Sequence, residues 1–200
     1  MVRYADPEDH PELGPDTATG RPPSAGERLA RLRQRNAALT GAAAVEGARE
    51  VALHRLDARA CTRGELLWAI TSRGFDQGTA EEVLDRLEAV GLVDDRAFAA
   101  ALVRDRFAGT GKAGRALVED LRRRGLAADV IEEAMSQVDR DDEVERAREL
   151  VASRQRAVSG LDRDRAFRRL TSMLARKGYA PGVCVQVVTE ALDAWGGDPR

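Results

Sequence analysis

The sequence predicts an all-α protein built from three tandem three-helix repeats, which resemble helix-turn-helix units, and three observations support this prediction. The composition favours helices: aromatic residues make up only 4 % of the chain and isoleucine occurs only at Ile70 and Ile131, so strand formers are scarce. Apolar residues flank recurring glycines at helical spacing, so we expect a helix before and after each one. The recurring strings are Arg73-Gly74-Phe75, Arg124-Gly125-Leu126 and Lys177-Gly178-Tyr179.

The glycine of each copy is predicted to mark the end of the second helix. Two apolar residues stand eight and four positions before it, as Leu66 and Ile70 do in the first copy, which places both on one helical face. Glycine is favoured just past a helix C-terminus, and the preceding Arg or Lys complements the negative end of the helix dipole. A further amphipathic segment precedes each pair, at about 48–60, 95–108 and 142–158, so each copy contains three helices.

The starts of several helices are also marked by polar residues. Thr62 and Glu65 have the spacing of a capping box, in which a threonine side chain accepts a first-turn amide proton. Asp95 and Asp162, with Asp129 as a further candidate, are expected to cap helices in the same way.

The chain is therefore predicted to divide into a head, three repeats and a tail. Five of the seven prolines fall within residues 7–23, a composition that cannot form a core, whereas Glu27–Leu39 has the leucine and arginine spacing of a short basic helix. Residues 1–47 are thus expected to be a disordered head with one such helix. Repeats are expected at 48–93, 94–138 and 139–195, followed by a tail at 196–200, and the array is expected to be elongated and curved.

Cysteine and histidine usage argues against metal and disulfide sites. The chain has two cysteines, Cys61 and Cys184, and two histidines, His10 and His54, so neither zinc-ligand spacing nor a disulfide framework can be assembled. The longest apolar run falls far short of the roughly 20 residues that span a membrane. We therefore expect a cytoplasmic protein with reduced thiols and no metal.

Catalytic and nucleotide-binding motifs fail the spacing test as well. Gly109-Thr110-Gly111-Lys112 resembles a phosphate-binding loop, but Arg106 and Ala113 stand where the loop requires a glycine and a Ser or Thr. Most carboxylates lie three or four residues from an arginine, as expected for solvated ion pairs. We therefore expect neither a cofactor nor an enzymatic activity.

Cations cluster on one face of the second helix in copies two and three. On a helical wheel they fall within an arc of about 100° in each copy, opposite the apolar pair of that helix. Two interpretations remain open: an ordinary solvated surface, or a basic stripe formed by matching faces of stacked repeats. The residues of this basic stripe are Lys112, Arg115, Arg122, Arg123, Arg165, Arg168, Arg169 and Arg176.

In copy one the corresponding outward position holds Trp68. Either a contact that the pattern does not reveal buries this side chain, or Trp68 is an anchor for a partner, since tryptophans dominate many interfaces.

Five strings along the chain form a recognisable set: Thr62-Arg63-Gly64-Glu65-Leu66, Arg73-Gly74-Phe75, Val83-Leu84-Asp85-Arg86-Leu87, Gly91-Leu92-Val93-Asp94-Asp95-Arg96-Ala97-Phe98-Ala99 and Gly111-Lys112-Ala113-Gly114. Together they resemble the bacterial RecX regulatory family, over roughly residues 51–192. The resemblance implies a curved array of three-helix repeats that binds the RecA recombinase filament on DNA and inhibits its ATPase, strand-exchange and coprotease activities. This chain departs from the family pattern at Trp68 and Thr71-Ser72, where basic residues are expected, and in its long Pro-rich head.

We therefore expect a monomeric, non-enzymatic regulator of homologous recombination, DNA repair and the SOS response. Its formal charge of −2 predicts weak binding to free DNA, because affinity for bare duplex comes mainly from phosphate neutralisation. The alternative is a helix-turn-helix-like DNA-binding transcriptional regulator, since a three-helix unit with a glycine-containing turn can insert a helix into the major groove.

Overall fold

The computed structural model describes residues 24–196, and this part of the chain contains eleven α-helices, one π-helical turn and no β-strand. The all-α prediction is confirmed. The π-helical turn, Arg106–Thr110, directly follows α5. The helices are α1 (Ala25–Ala37), α2 (Gly41–Ala58), α3 (Arg63–Thr71), α4 (Gln77–Ala89), α5 (Asp95–Asp105), α6 (Gly114–Arg123), α7 (Ala128–Met135), α8 (Arg140–Ala152), α9 (Gln155–Val158), α10 (Arg163–Lys177) and α11 (Pro181–Gly196).

The predicted three-helix repeat is present three times. Helices α2, α3 and α4 pack together, as do α5, α6 and α7, and then α8, α10 and α11, with the short α9 inserted before α10. Each copy has its own hydrophobic core, and that of the third copy also includes Ala113, which precedes α6 in copy two. The six apolar residues predicted from their spacing to the glycines are all at most 1 % exposed, which confirms the helical register: Leu66, Ile70, Leu117, Leu121, Leu170 and Leu174.

The head differs from the expectation from residue 24 onward. The predicted basic helix exists as α1 and begins with a capping box between Ser24 and Glu27, but α2 starts at Gly41, within the residues that the sequence assigned to the head rather than to repeat one. The reason is long-range packing: a Cβ atom on Gly47 would lie 2.9 Å from the Phe75 ring, so this glycine makes room for the side chain of Phe75, which lies between α3 and α4. Residues 1–23, expected to be disordered, lie outside the described part of the chain, as do residues 197–200.

Two of the four candidate helix caps, Thr62 and Asp162, are present. Thr62 accepts the backbone N–H of the third residue of α3 at 3.1 Å, and Asp162 accepts that of α10 at 2.9 Å. The cap of α5 is Asp94 rather than Asp95. Asp129 does not cap α7, whose first flanking residue is an alanine, and it pairs with an arginine of α5 instead.

The three motif glycines, called the junction glycines here, also join successive units of the fold. All three have a positive φ, between 74° and 97°, as expected for residues that end helices. Each packs directly against the backbone of the preceding unit, and a Cβ on Gly178 would lie 2.2 Å from the Ala113 carbonyl oxygen. The contacting pairs are Arg33 with Gly74, Gly64 with Gly125, and Ala113 with Gly178.

Hydrogen bonds close the junction between copies one and two. The buried Thr62 hydroxyl donates to the Arg124 carbonyl at 2.5 Å. The Arg63 amide donates to a carboxylate oxygen of Asp95 at 2.8 Å, so the residue predicted to cap α5 instead caps α3 of the preceding copy. Burial raises the pKa of Asp95 above its ordinary value.

The junction between copies two and three repeats this arrangement. The amides of Ala113 and Arg115 donate to the carbonyls of Lys177 and Gly178 at 2.9 and 3.2 Å. The amide of Gly114 donates to Glu143, near the start of α8, at 3.1 Å. In both junctions the start of one second helix thus meets the end of the next, which pairs terminal amides and carbonyls that a helix cannot satisfy internally.

Replacing Gly178, whose Cβ would meet backbone atoms of the preceding unit, is expected to cost far more stability than replacing a glycine of positive φ that faces open space. Gly178→Ala should lower the free energy of unfolding by roughly 3 kcal/mol or more, because backbone strain and an unrelievable clash add together. Gly91 also has a positive φ, of 73°, but its Cβ would meet nothing within 4 Å, so Gly91→Ala should cost only about 1 kcal/mol. Urea unfolding followed by circular dichroism measures both, and equal losses would contradict the close-contact account.

A second expectation concerns Tyr179, which is 4 % exposed and whose hydroxyl has no hydrogen-bond partner in the described structure. Burial raises the pKa of Tyr179 from 10.0 to about 12. Between these values the folded chain holds a proton that the unfolded chain has lost, so the free energy of unfolding should fall as pH rises through this window. In the Tyr179→Phe variant the free energy of unfolding should lose this part of its decrease with pH. The same pH dependence in the variant and the wild-type protein, measured by urea unfolding, would contradict the prediction.

Candidate partner-binding surface

Helix α6 carries two exposed arginines of the basic stripe that have no acidic partner among the described residues. Arg115 and Arg122 lie seven residues apart and therefore project from the same side of the helix, two turns from each other. Both guanidinium groups are thus available to a carboxylate or phosphate without breaking an ion pair within this part of the chain.

The other two predicted cations of copy two are engaged within the fold. Lys112 precedes α6, so the prediction that it lies on a face of this helix is wrong. Its ammonium group donates to Asp120 at 2.6 Å. Arg123 pairs with the same aspartate and lies 3.7 Å from Glu119. The Asp120 side chain is only 12 % exposed, which makes it an anchor for both cations.

Helix α10 contributes three further exposed arginines without acidic partners in the described chain, Arg168, Arg169 and Arg176. The fourth predicted residue, Arg165, pairs with the capping Asp162 at 3.1 Å. In copy three, as in copy two, the structure therefore separates unpaired cations from cations held by local carboxylates.

The sequence patterns missed Arg154, an exposed residue between α8 and α9. It lines a small cavity together with Arg169 and Arg176. Burial, reinforced by the nearby Arg154 and Arg146, lowers the pKa of Lys177, as expected in a strongly positive region. Arg154 occupies no repeated position, so periodicity could not have identified it.

Arg115 of α6 and the side of α10 that carries Arg168 adjoin each other at the junction between copies two and three. Arg115 lies in the first turn of α6, where its amide bonds to Gly178. It lines a shallow cavity together with Thr171 and Ser172 of α10. These two residues lie one helical turn beyond Arg168, on the same side of α10, whereas Arg169 and Arg176 line the separate cavity that includes Arg154.

Trp68 is 66 % exposed, so no contact within the described residues buries it. It lines a cavity between α1 and repeat one, together with Leu29 and Leu32. The alternative, that Trp68 anchors a partner, stays a prediction.

The remaining candidate sites from the sequence are the two cysteines and the loop around Gly111. Cys61 and Cys184 are free and buried, and burial raises the pKa of both thiols. The described residues contain no group of three or more His, Cys, Asp or Glu side chains placed to hold a metal ion. The loop around Gly111 follows a π-helical turn rather than a strand and packs against Leu150 of α8. No helix within residues 24–196 has the length and apolar character to cross a bilayer.

These features define an all-α repeat protein with a surface of unpaired arginines. Comparison with family models gives matches to the first three-helix domain of RecX over residues 48–87 and to the second over residues 94–135. The regulatory protein RecX of Streptomyces coelicolor is 48 % identical over 154 residues, which is 77 % of this chain and 82 % of that protein. The Mycobacterium leprae regulatory protein RecX is 44 % identical over 150 residues, covering 74 % of this chain and 88 % of that one.

The fold comparison agrees with these matches. The crystal structure of RecX from Lactobacillus salivarius superposes with a TM-score of 0.68 at 19 % identity, over 75 % of this chain and 97 % of that one. The chain belongs to the RecX family of regulatory proteins.

Proposed function

We propose that this protein binds the filament that the RecA recombinase forms on DNA and inhibits its ATPase, strand-exchange and coprotease activities, and so modulates recombination and repair. It acts in the cytoplasm, as a monomer and without catalysis of its own. The observation that carries the proposal is that α6 and α10, which meet at the junction between copies two and three, each carry exposed arginines without acidic partners among the described residues, in a chain of the RecX family.

The mechanism is electrostatic and steric. Each exposed guanidinium offers two parallel N–H donors to a carboxylate or phosphate. Because these arginines have no acidic partners within the described fold, no ion pair there has to break when they bind. A filament repeats its surface along its axis, so an array of repeats engages several sites at once and gains avidity from their linkage. The bound array then obstructs the filament groove.

The alternative, a helix-turn-helix-like regulator of transcription, is disfavoured by charge. In such a motif the helix after the glycine-containing turn enters the major groove. Here those helices are α4, α7 and α11, which together carry nine carboxylates and a single basic residue, Arg86. DNA phosphates would repel these helices.

The direct experiment measures DNA-dependent ATP hydrolysis by the cognate recombinase as this protein is added, alongside fluorescence anisotropy of its binding to free single- and double-stranded DNA. We expect inhibition at concentrations that leave free duplex unbound. Saturation of free duplex at or below the inhibitory concentration would favour the transcriptional alternative.

Charge reversal tests the arginine surface itself. The double variants Arg115→Glu with Arg122→Glu, and Arg168→Glu with Arg169→Glu, should each weaken inhibition about a hundredfold, because each lost charged contact costs on the order of 1–3 kcal/mol. These side chains leave the cores untouched, so stability should change by only about 0.5 kcal/mol per site. Rising salt should weaken the wild-type protein in the same direction.

A matched control reverses two exposed arginines outside the basic stripe. Arg31 and Arg104 also lack ion pairs among the described residues, so Arg31→Glu with Arg104→Glu alters net charge equally and should leave inhibition nearly unchanged. Arg63 is unsuitable for this purpose because it pairs with Asp85 and Glu88. If every variant inhibited equally well at matched helicity, the arginines would be only a solvated surface.

A further inference from the structure

Repeat one carries an open groove that the arginine surface does not include. Helices α1, α2 and α3 line an open cavity of about 930 Å³, called the Trp68 groove here. Trp68 is 66 % exposed in it and Leu29 is 39 % exposed, while Leu32, Val51 and Phe75 line it more deeply. An apolar concavity of this size with an exposed indole ring is typical of a docking site.

The charges that line the Trp68 groove are mostly positive. Arg35, Arg55 and Arg73 line it without an acidic partner among the described residues, and Arg33 donates its Nε–H to the Ser72 carbonyl at 2.7 Å. Glu50 is the single carboxylate among the described lining residues. The groove therefore suits an occupant that combines carboxylates with apolar side chains.

The chain itself supplies a segment of this composition. Residues 1–23 contain five carboxylates and two arginines, a formal charge of −3, together with Tyr4 and Leu13. The segment leads directly into α1, which forms one wall of the Trp68 groove. Twenty-three residues reach up to about 75 Å when extended, several times the length of α1, which is about 20 Å. A tether of this kind holds its ligand at an effective concentration in the millimolar range.

We propose that residues 1–23 dock in the Trp68 groove of the same molecule, with their carboxylates against Arg35, Arg55 and Arg73 and an apolar side chain against Trp68. The segment acts as an intramolecular cover, and any partner that uses Trp68 as an anchor has to displace it. This inference does not depend on binding to a recombinase filament.

The test uses the full chain with Trp195→Phe, which leaves Trp68 as the single tryptophan. Acrylamide, a neutral quencher, reports how far its indole is shielded. The quenching constant should be low in this protein and roughly threefold higher after Asp6→Asn, Glu8→Gln, Asp9→Asn and Glu12→Gln, because several lost ion pairs suffice to open a two-state contact. High salt should produce the same rise.

A charge swap identifies the arginines that receive the segment. Arg35→Glu with Arg55→Glu should expose Trp68 as strongly as neutralising the segment does, and changing the same four segment carboxylates to lysine in that background should restore the shielding. Arg31→Glu with Arg104→Glu, outside the groove, should leave quenching unchanged.

Three results would overturn the proposal. One is a Trp68 quenching constant in the full chain that matches that of a free tryptophan analogue. Another is shielding that none of the charge changes alters or that the charge swap fails to restore. The third is shielding that rises with protein concentration together with a doubled mass in analytical ultracentrifugation, which would identify a second copy as the occupant.

Discussion

The fold depends on close backbone contact at the junction glycines. A Cβ on Gly74 or Gly178 would collide with the preceding unit, because it would lie 2.4 Å from the Arg33 carbonyl oxygen or 2.2 Å from the Ala113 carbonyl oxygen, while Gly125 lies in ordinary contact with Gly64. At the junction between copies two and three the amides that begin α6 bond to carbonyls that end α10, and at both junctions between copies a carboxylate of the following copy accepts one more amide. The contact thus satisfies groups that the helices leave unpaired, and it sets the register between neighbouring copies.

This register determines which charges share a surface. The end of α10 meets the start of α6, so Arg115 lies beside the side of α10 that carries Arg168. Other cations of the basic stripe form ion pairs with local carboxylates, above all with Asp120, and are therefore not free to bind an external anion. The helices that follow the junction glycines are acidic, whereas the unpaired arginines of the basic stripe lie on the second helices of copies two and three.

The sequence predicted the features that local patterns encode. The buried leucine pairs and the C-capping glycines follow from helical periodicity and from the conformational preference of glycine, and the structure confirms both. It did not predict features that depend on residues distant in the chain. Helix α2 begins at Gly41, within the predicted head, and passes through Gly47, which faces Phe75, while Asp95 caps a helix of the preceding copy. The helical wheel includes Lys112 because the sequence pattern places this residue within the second helix, whereas α6 begins at Gly114.

The central claim is that the junctions join the copies into one cooperative array, and native-state hydrogen exchange at the Ala113 and Arg115 amides tests it most directly. Both amides bond across the junction between copies two and three. If the account is correct, they exchange with the free energy of global unfolding, as a core amide such as that of Leu174 does. Exchange of both amides at the rate of an exposed loop, while Leu174 stays protected, would show that the copies move independently and would contradict the account.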